Sequence, residues 1–268
     1  MIEAPVMARP PVVKRPESLT EIYYPESDGK PVGETDFHVA ALFHLWQTLR
    51  FHYRNDPNIY VAGNMLLYYE QGNPAEFKVP DVFVVKGIAK HDRGVYKLWE
   101  EKVAPGVIFE ITSRGTRLED LGTKRALYEM LGVAEYYLFD PLDEYLRPRF
   151  QAYKLIAGMY HPAKLSADGS LLSRELNLVL RPEGKLLRVT DPATGESLPT
   201  LDEAVYQMED ALEIARAEMR RARLEAERAE TEAQRAAAEA QRADTAESRA
   251  AQLEAEIERL RGLLDELG

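Results

Sequence analysis

Apolar and polar positions along this chain follow two periods, and the switches between them predict its elements. Val39, Leu42, Phe43, Trp46 and Leu49 recur at three and four residues, which is one face of a helix. Thr35 or Asp36 is placed to cap that helix, and Asn55-Asp56-Pro57 ends it near Arg54. Before it, Pro25-Glu26-Ser27-Asp28-Gly29-Lys30-Pro31 is turn chemistry. After it, residues 59–62, 65–70 and 79–85 read as strands, with Gly72-Asn73-Pro74 turning between the last two. Residues 87–101 are polar and uneven, a loop with a helical turn at 96–101. A strand at 107–112, a turn at 113–116 and a helix at 118–131 follow, the helix closed by Gly132. Further strands are predicted at 135–139, 150–156, 176–180 and 185–189. The sum is a mixed α/β domain over residues 21–199.

The pattern changes at Leu201. Leu201, Val205, Met208, Leu212, Ala215, Met219, Ala222, Ala226, Ala229, Ala233, Ala236, Ala240 and Ala243 alternate steps of four and three. That is a heptad seam, and Leu253, Ile257, Leu260, Leu264 and Leu267 resume it after a break of phase near Ala246. Residues 200–268 are therefore expected to form an α-helical coiled coil that makes a homo-oligomer. A solvated single helix rich in Ala, Glu and Arg is the plainer alternative.

Composition narrows the classes. The chain has no cysteine, which excludes disulfides and thiolate metal sites and fits a cytoplasmic protein. No apolar run approaches the roughly 20 residues of a membrane span. Residues 1–20 carry prolines and scattered basic residues without an apolar core, and are expected to be a flexible arm, not a secretory signal. Of the net charge of −11, most lies after Leu201, where 18 acidic residues face 10 basic ones. The folded domain is close to balanced, so a local basic rim could still meet nucleic acid.

Candidate chemistry is concentrated in residues 80–124. Strand alternation puts Glu110 on one face with Ile108 and Thr112, and Val107, Phe109 and Ile111 on the other. Glu110 is thus a carboxylate inside an apolar strand, and such a group needs a metal, a cation or a cleft. Asp81 opens the Val82–Val85 run in the same way. Asp81, Glu110 and the backbone carbonyl of Ile111 could hold Mg²⁺, or Mn²⁺, which take a few oxygen ligands and keep water. Lys124 lies three residues after Leu121 and four before Tyr128, at the edge of its helix's inner stripe. It can stabilise charge on a reacting phosphate or pair with Asp120.

The ordered set Pro80-Asp81, Glu110-Ile111-Thr112-Ser113, Asp120-x-x-x-Lys124-x-x-x-Tyr128 and Gly132-Val133-x-Glu135-Tyr136-Tyr137-x-x-Asp140-Pro141 resembles a bacterial restriction-endonuclease-like family, domain of unknown function 820 or Uma2. The leader Tyr24-Pro25-x-Ser27-Asp28-Gly29-Lys30-Pro31 and the tail Asp191-Pro192-Ala193-Thr194-Gly195-Glu196 resemble it too. The resemblance implies a PD-(D/E)XK nuclease fold, a mixed sheet flanked by helices, and Mg²⁺-dependent cleavage of DNA. Thr112 stands where a plain motif of this kind has lysine, and Lys124 is in place to supply that lysine from the following helix.

Asp81, Glu110 and Lys124 are therefore the expected catalytic set. Glu34 and His38, four apart at the start of the first helix, can join the site or only cap and pack. Thr112 and Ser113 can line it or stabilise the turn. Arg114 and Arg117 are candidate phosphate contacts, Glu70 a candidate at the cleft, and Tyr128, Trp46 and Trp99 read as packing. A nuclease fold that binds nucleic acid without cutting, or an assembly protein working through its coil, are the competing functions.

Overall fold

The first helix, α1 (Asp36–His52), begins where Thr35 accepts a hydrogen bond from the His38 amide. Ala41, Leu42, Leu45 and Leu49 form its buried stripe. It packs on a six-stranded sheet in a computed structural model that describes residues 22–29 and 34–265. The expected arm at 1–20 lies outside the described residues. The chain divides into two compact units, Met1–Asp202 and Glu203–Gly268.

The sheet runs β1 (Ile59–Gly63), β4 (Val82–Lys86), β6 (Val107–Ile111), β7 (Glu135–Phe139), β8 (Phe150–Ile156) and β9 (Met159–Pro162) in spatial order. Only β6 and β7 are parallel, joined through a helical crossover, as parallel neighbours require. The other neighbours are antiparallel. A small sheet of β2 (Leu67–Tyr68), β3 (Phe77–Lys78) and β5 (Tyr96–Lys97) precedes β6, and β5 leads into the short helix α2 (Leu98–Glu101). A second small sheet joins β10 (Leu171–Ser173), β11 (Leu178–Glu183) and β12 (Leu186–Thr190).

Each face of the large sheet owns a core. Val82, Val84, Val107, Phe109, Ile111, Tyr137 and Phe139 pack with α1 and the β10–β12 sheet. Phe83, Val85, Ile108, Tyr136 and Leu138 pack with Tyr128, Val133, Leu67 and Tyr96. The alternation expected along β6 is thereby observed, with Ile108 on the second face. Burying sheet residues on both sides explains why β4, β6 and β7 are nearly continuous apolar runs.

The crossover helix departs from the expected single helix at 118–131. It comprises α3 (Arg117–Glu119), a π-helical turn (Asp120–Lys124) and α4 (Arg125–Met130). Gly122 sits in the middle of the π turn, and the Tyr136 hydroxyl donates to the Asp120 carbonyl at 2.9 Å. A weak helix former and an outside donor ease departure from regular α pairing.

Other differences are of length. The run at 65–70 shortens to β2, and the run at 79–85 becomes β4 (Val82–Lys86), starting after Pro80. Strands β3, β5, β9 and β10 were not foreseen, and the helical turn expected at 96–101 is confined to α2. β9 is largely exposed at the sheet edge, so no apolar alternation marks it. Its hairpin with β8 turns through Ala157 and Gly158, both at positive φ, which suits a two-residue primed turn.

In the second unit, α5 (Leu201–Asp265) is one helix of 65 residues. Val205, Met208, Leu212, Met219, Leu253, Ile257 and Leu260 are exposed on it. The helical part of the coiled-coil expectation is observed. Leu267, at the end of the seam, lies outside the described residues, as does the Leu264 side chain. Among the described residues no helix is long and apolar enough to cross a membrane.

Candidate active site

Antiparallel register creates the site. Val82 pairs with Phe109 and Phe83 with Ile108, so one further step sets Asp81 opposite Glu110. Asp81 is fixed by two contacts: its Oδ2 accepts from the Ile111 amide at 2.6 Å, and its Oδ1 lies 3.3 Å from His38 Nε2. Glu110 is 1% exposed. Its Oε2 accepts from Lys124 Nζ at 2.8 Å, and its Oε1 accepts from the Tyr128 hydroxyl at 2.9 Å. The sheet thus delivers two acids, while the crossover helix delivers a cation and a phenol to the second.

Asp120 was considered above only as a salt-bridge partner for Lys124. It is that partner, with Oδ1 3.1 Å from Nζ, but it is also fully buried beside the site. Thr116 and Lys124 both act on its carboxylate and favour the ionised form, though neither contact is a hydrogen bond of good geometry. Lys124 therefore bridges two acids, and its expected pairing with Asp120 is observed.

The electrostatics follow from burial. Burial pushes Glu110 up to about 8, opposed by Lys124 and reinforced by Asp81 and Asp120. Burial also raises Asp120, against the pull of Lys124. For Lys124, burial works against the charge, but Glu110, Asp120 and Asp81 outweigh it and hold it above the usual lysine range. Burial and the neighbouring Glu110 push the Tyr128 phenol well up, so it is a hydrogen-bond donor at any ordinary pH. At His38, burial is outweighed by Asp81 first, then Glu34 and Asp120, and the imidazole is raised. That favours a charged ring held between acids, with Nδ1 3.6 Å from Glu34 Oε2.

Glu34 and His38 are thus brought to Asp81, His38 directly and Glu34 through the ring. Thr112 is buried; its amide donates to the Phe139 carbonyl at 2.7 Å, and its hydroxyl has no partner among the described residues. Ser113 is held in the turn instead, exchanging hydrogen bonds with Thr116 through its amide and hydroxyl. Arg114 and Arg117 are exposed just past β6. Glu70 is exposed in the β2–β3 turn, where its carbonyl accepts from Asn73. Tyr128 is core, as expected, and is also a ligand of Glu110. The four-residue spacing from Lys124 was the signal for that second role.

Two opposed strand acids, a bridging lysine from the crossover helix and a mixed sheet form the kind of constellation that phosphodiester hydrolases use with a metal. The chain belongs to the Uma2 family, described as "Putative restriction endonuclease", whose match covers residues 17–185. It is similar to a solved structure from Anabaena variabilis ATCC 29413, titled a "putative nuclease belonging to DUF820". The two are 14% identical over 56% of this chain and 81% of that one, with a TM-score of 0.37. No curated protein matches the chain.

A divalent cation suits the donor chemistry here. Asp81, Glu110 and Asp120 are hard oxygen donors, and the carboxylate oxygens of Asp120 retain hydrogen-bonding capacity. Among the described residues, however, no group of three or more His, Asp or Glu side chains is arranged around a single ion position. A cation shared by Asp81 and Glu110 must therefore draw on backbone oxygen and water, and must compete with Lys124 or Tyr128 for Glu110.

Proposed function

We propose that the chain is a Mg²⁺-dependent endonuclease that hydrolyses phosphodiester bonds of DNA, with Mn²⁺ as an alternative ion. The observation that carries this reading is Asp81 set opposite Glu110 at a strand end, with Lys124 Nζ 2.8 Å from Glu110. Asp81, Glu110 and the Ile111 carbonyl would hold the ion, which would supply positive charge to a phosphoryl oxygen and ease attack by water.

The protein groups have separable tasks. Lys124 is held charged by its acids, so it acts as a cation and not as a base. It offers N–H donors to the phosphoryl oxygens as negative charge builds there. Tyr128 fixes the plane of the Glu110 carboxylate, and the Ile111 amide and His38 fix that of Asp81. Arg114 and Arg117 are offered to neighbouring phosphates. In the reaction a water oxygen attacks phosphorus, one phosphorus–oxygen ester bond breaks, the water loses a proton to solvent, and the departing oxygen gains one.

Incubation with plasmid and oligonucleotide DNA, in Mg²⁺, Mn²⁺ or chelator, tests the reading. Cleavage should need the metal and vanish in Asp81→Ala and Lys124→Ala. Cleavage that survives both substitutions rules this site out.

One observation favours a second reading, a catalytically inactive nuclease fold that binds nucleic acid or serves assembly. Both oxygens of Glu110 already accept hydrogen bonds from the protein. Binding of DNA with no cutting across metals and substrates would select it. Under either reading we propose that α5 pairs with other copies through its exposed heptad seam and that the protein is cytoplasmic. Light scattering of the full chain and of a chain ending at Pro199 should give an oligomer and a monomer.

A further inference from the structure

We infer that Asp120 is a positioning residue that keeps Lys124 in the site when Glu110 is engaged elsewhere. This rests on the nuclease reading above for its purpose, though not for its geometry.

Lys124 has two acceptors and one job. Its Nζ lies 2.8 Å from Glu110 and 3.1 Å from Asp120. Glu110 is the residue that an ion must claim, and an ion and an ammonium compete for the same oxygens. A lysine with Glu110 as its sole acceptor would be left with an unpaired buried charge once that happened, which is costly. It would then leave toward solvent, away from the phosphate.

Asp120 removes that conflict. It is fully buried, so it is not a surface partner formed by chance. Its Oδ1 already lies 3.1 Å from the Lys124 ammonium, so a partner is in place for the charge that Glu110 releases. Its backbone is pinned as well, because the Tyr136 hydroxyl holds its carbonyl at 2.9 Å. Asp120 and Lys124 are also the two ends of the π-helical turn. Such turns recur at functional sites because they aim side chains that a regular helix would place differently. Lys124 can therefore shift its weight from Glu110 to Asp120 by a small movement of Nζ, with no change of rotamer toward solvent.

Crystal structures of Glu110→Gln and of Asp120→Asn, paired with steady-state cleavage kinetics, test this. In Glu110→Gln the Lys124 ammonium should remain within hydrogen-bonding distance of Asp120. In Asp120→Asn, kcat should fall by about tenfold or more with KM within about twofold, as for loss of a group that acts through a transition-state contact. Asp120→Glu should recover part of the lost kcat. The inference is overturned if Lys124 turns to solvent in Glu110→Gln while Asp120 stays in place, or if Asp120→Asn keeps wild-type kcat. If the wild-type protein cuts no DNA, the nuclease reading fails, and the Glu110→Gln structure still decides the role of Asp120. Should Glu110→Gln not fold, the Mn²⁺-soaked wild-type crystal gives the same readout of Nζ.

Discussion

Glu110 and Glu135 sit on neighbouring parallel strands, are both buried, and live in opposite circumstances. Glu135 starts β7 and points toward the β10–β12 sheet. Its carboxylate accepts from the Tyr137 and Ser173 hydroxyls and from the Arg174 and Glu175 amides, with Lys154 Nζ 3.5 Å away. Donors converge on it from a turn nearly forty residues away in sequence, and among the described residues no second carboxylate shares those donors. Glu110 is the last residue but one of β6 and lies on the other face, with two donors and two further acids around it. A buried acid surrounded by fitted donors ties one sheet to another. A buried acid crowded by other acids is harder to ionise, a cost that a cation would relieve, and a carboxyl perturbed in this way is a candidate for a site.

The largest test of this contrast is Glu110→Gln against Glu135→Gln. Glu110→Gln should lower DNA cleavage by about a thousandfold or more, measured by plasmid relaxation, while leaving the fold as stable as before or more so. Glu135→Gln should do the reverse. It leaves donors facing an amide and should cost about 2–4 kcal/mol in urea unfolding, with the cleavage of the folded fraction little changed.

A pH series sharpens the same point. Glu110 is raised from its ordinary 4.5 to about 8, so between those values the folded chain holds a proton that the unfolded chain has released. Its contribution to stability is therefore full at low pH and is lost as pH rises through about 8. Thermal melts from pH 5 to 9 should show Glu110→Gln gaining on the wild type across that range. Metal binding should strengthen over the same range, because the ion displaces the proton.

Smaller is the effect of Tyr128→Phe, which deletes one donor to Glu110 and keeps the buried ring. It should cost about 1 kcal/mol of stability and change kcat by only a few-fold, read in the same assays. If Tyr128→Phe matches Lys124→Ala in lost activity, the phenol and not the ammonium is the chief partner of Glu110.

The parts of the site that could be read from the chain were those governed by fixed periods. A period of two placed Glu110 opposite in sense to Phe109 and Ile111, and a period near 3.6 placed Lys124 at the inner stripe. The Uma2 motifs gave the acids their order, and the family match agrees with that resemblance. Asp120 pairs with Lys124 as its spacing suggested, but its burial was not legible, because an acid four residues before a lysine is usual on an exposed helix and only tertiary packing buries this one. Ser113 was ambiguous because its hydroxyl had a closer partner in Thr116. β9 was missed because an exposed edge strand needs no apolar face. Asp81 and Glu110 could each be named singly, but their opposition depends on the register of β4 and β6, which belongs to the pair of strands and to neither one.

The π-helical turn makes the site sensitive to the length of its helix. Its hydrogen bonds run from residue i to i+5, so it holds one residue more than an α turn. Excising Gly122, which is not buried, would change no side chain of the site and would restore a regular helix. Asp120 and Lys124 would then stand three residues apart instead of four, still on one face, and a deletion that removes no functional group would reset the distance between the carboxylate and the ammonium it holds.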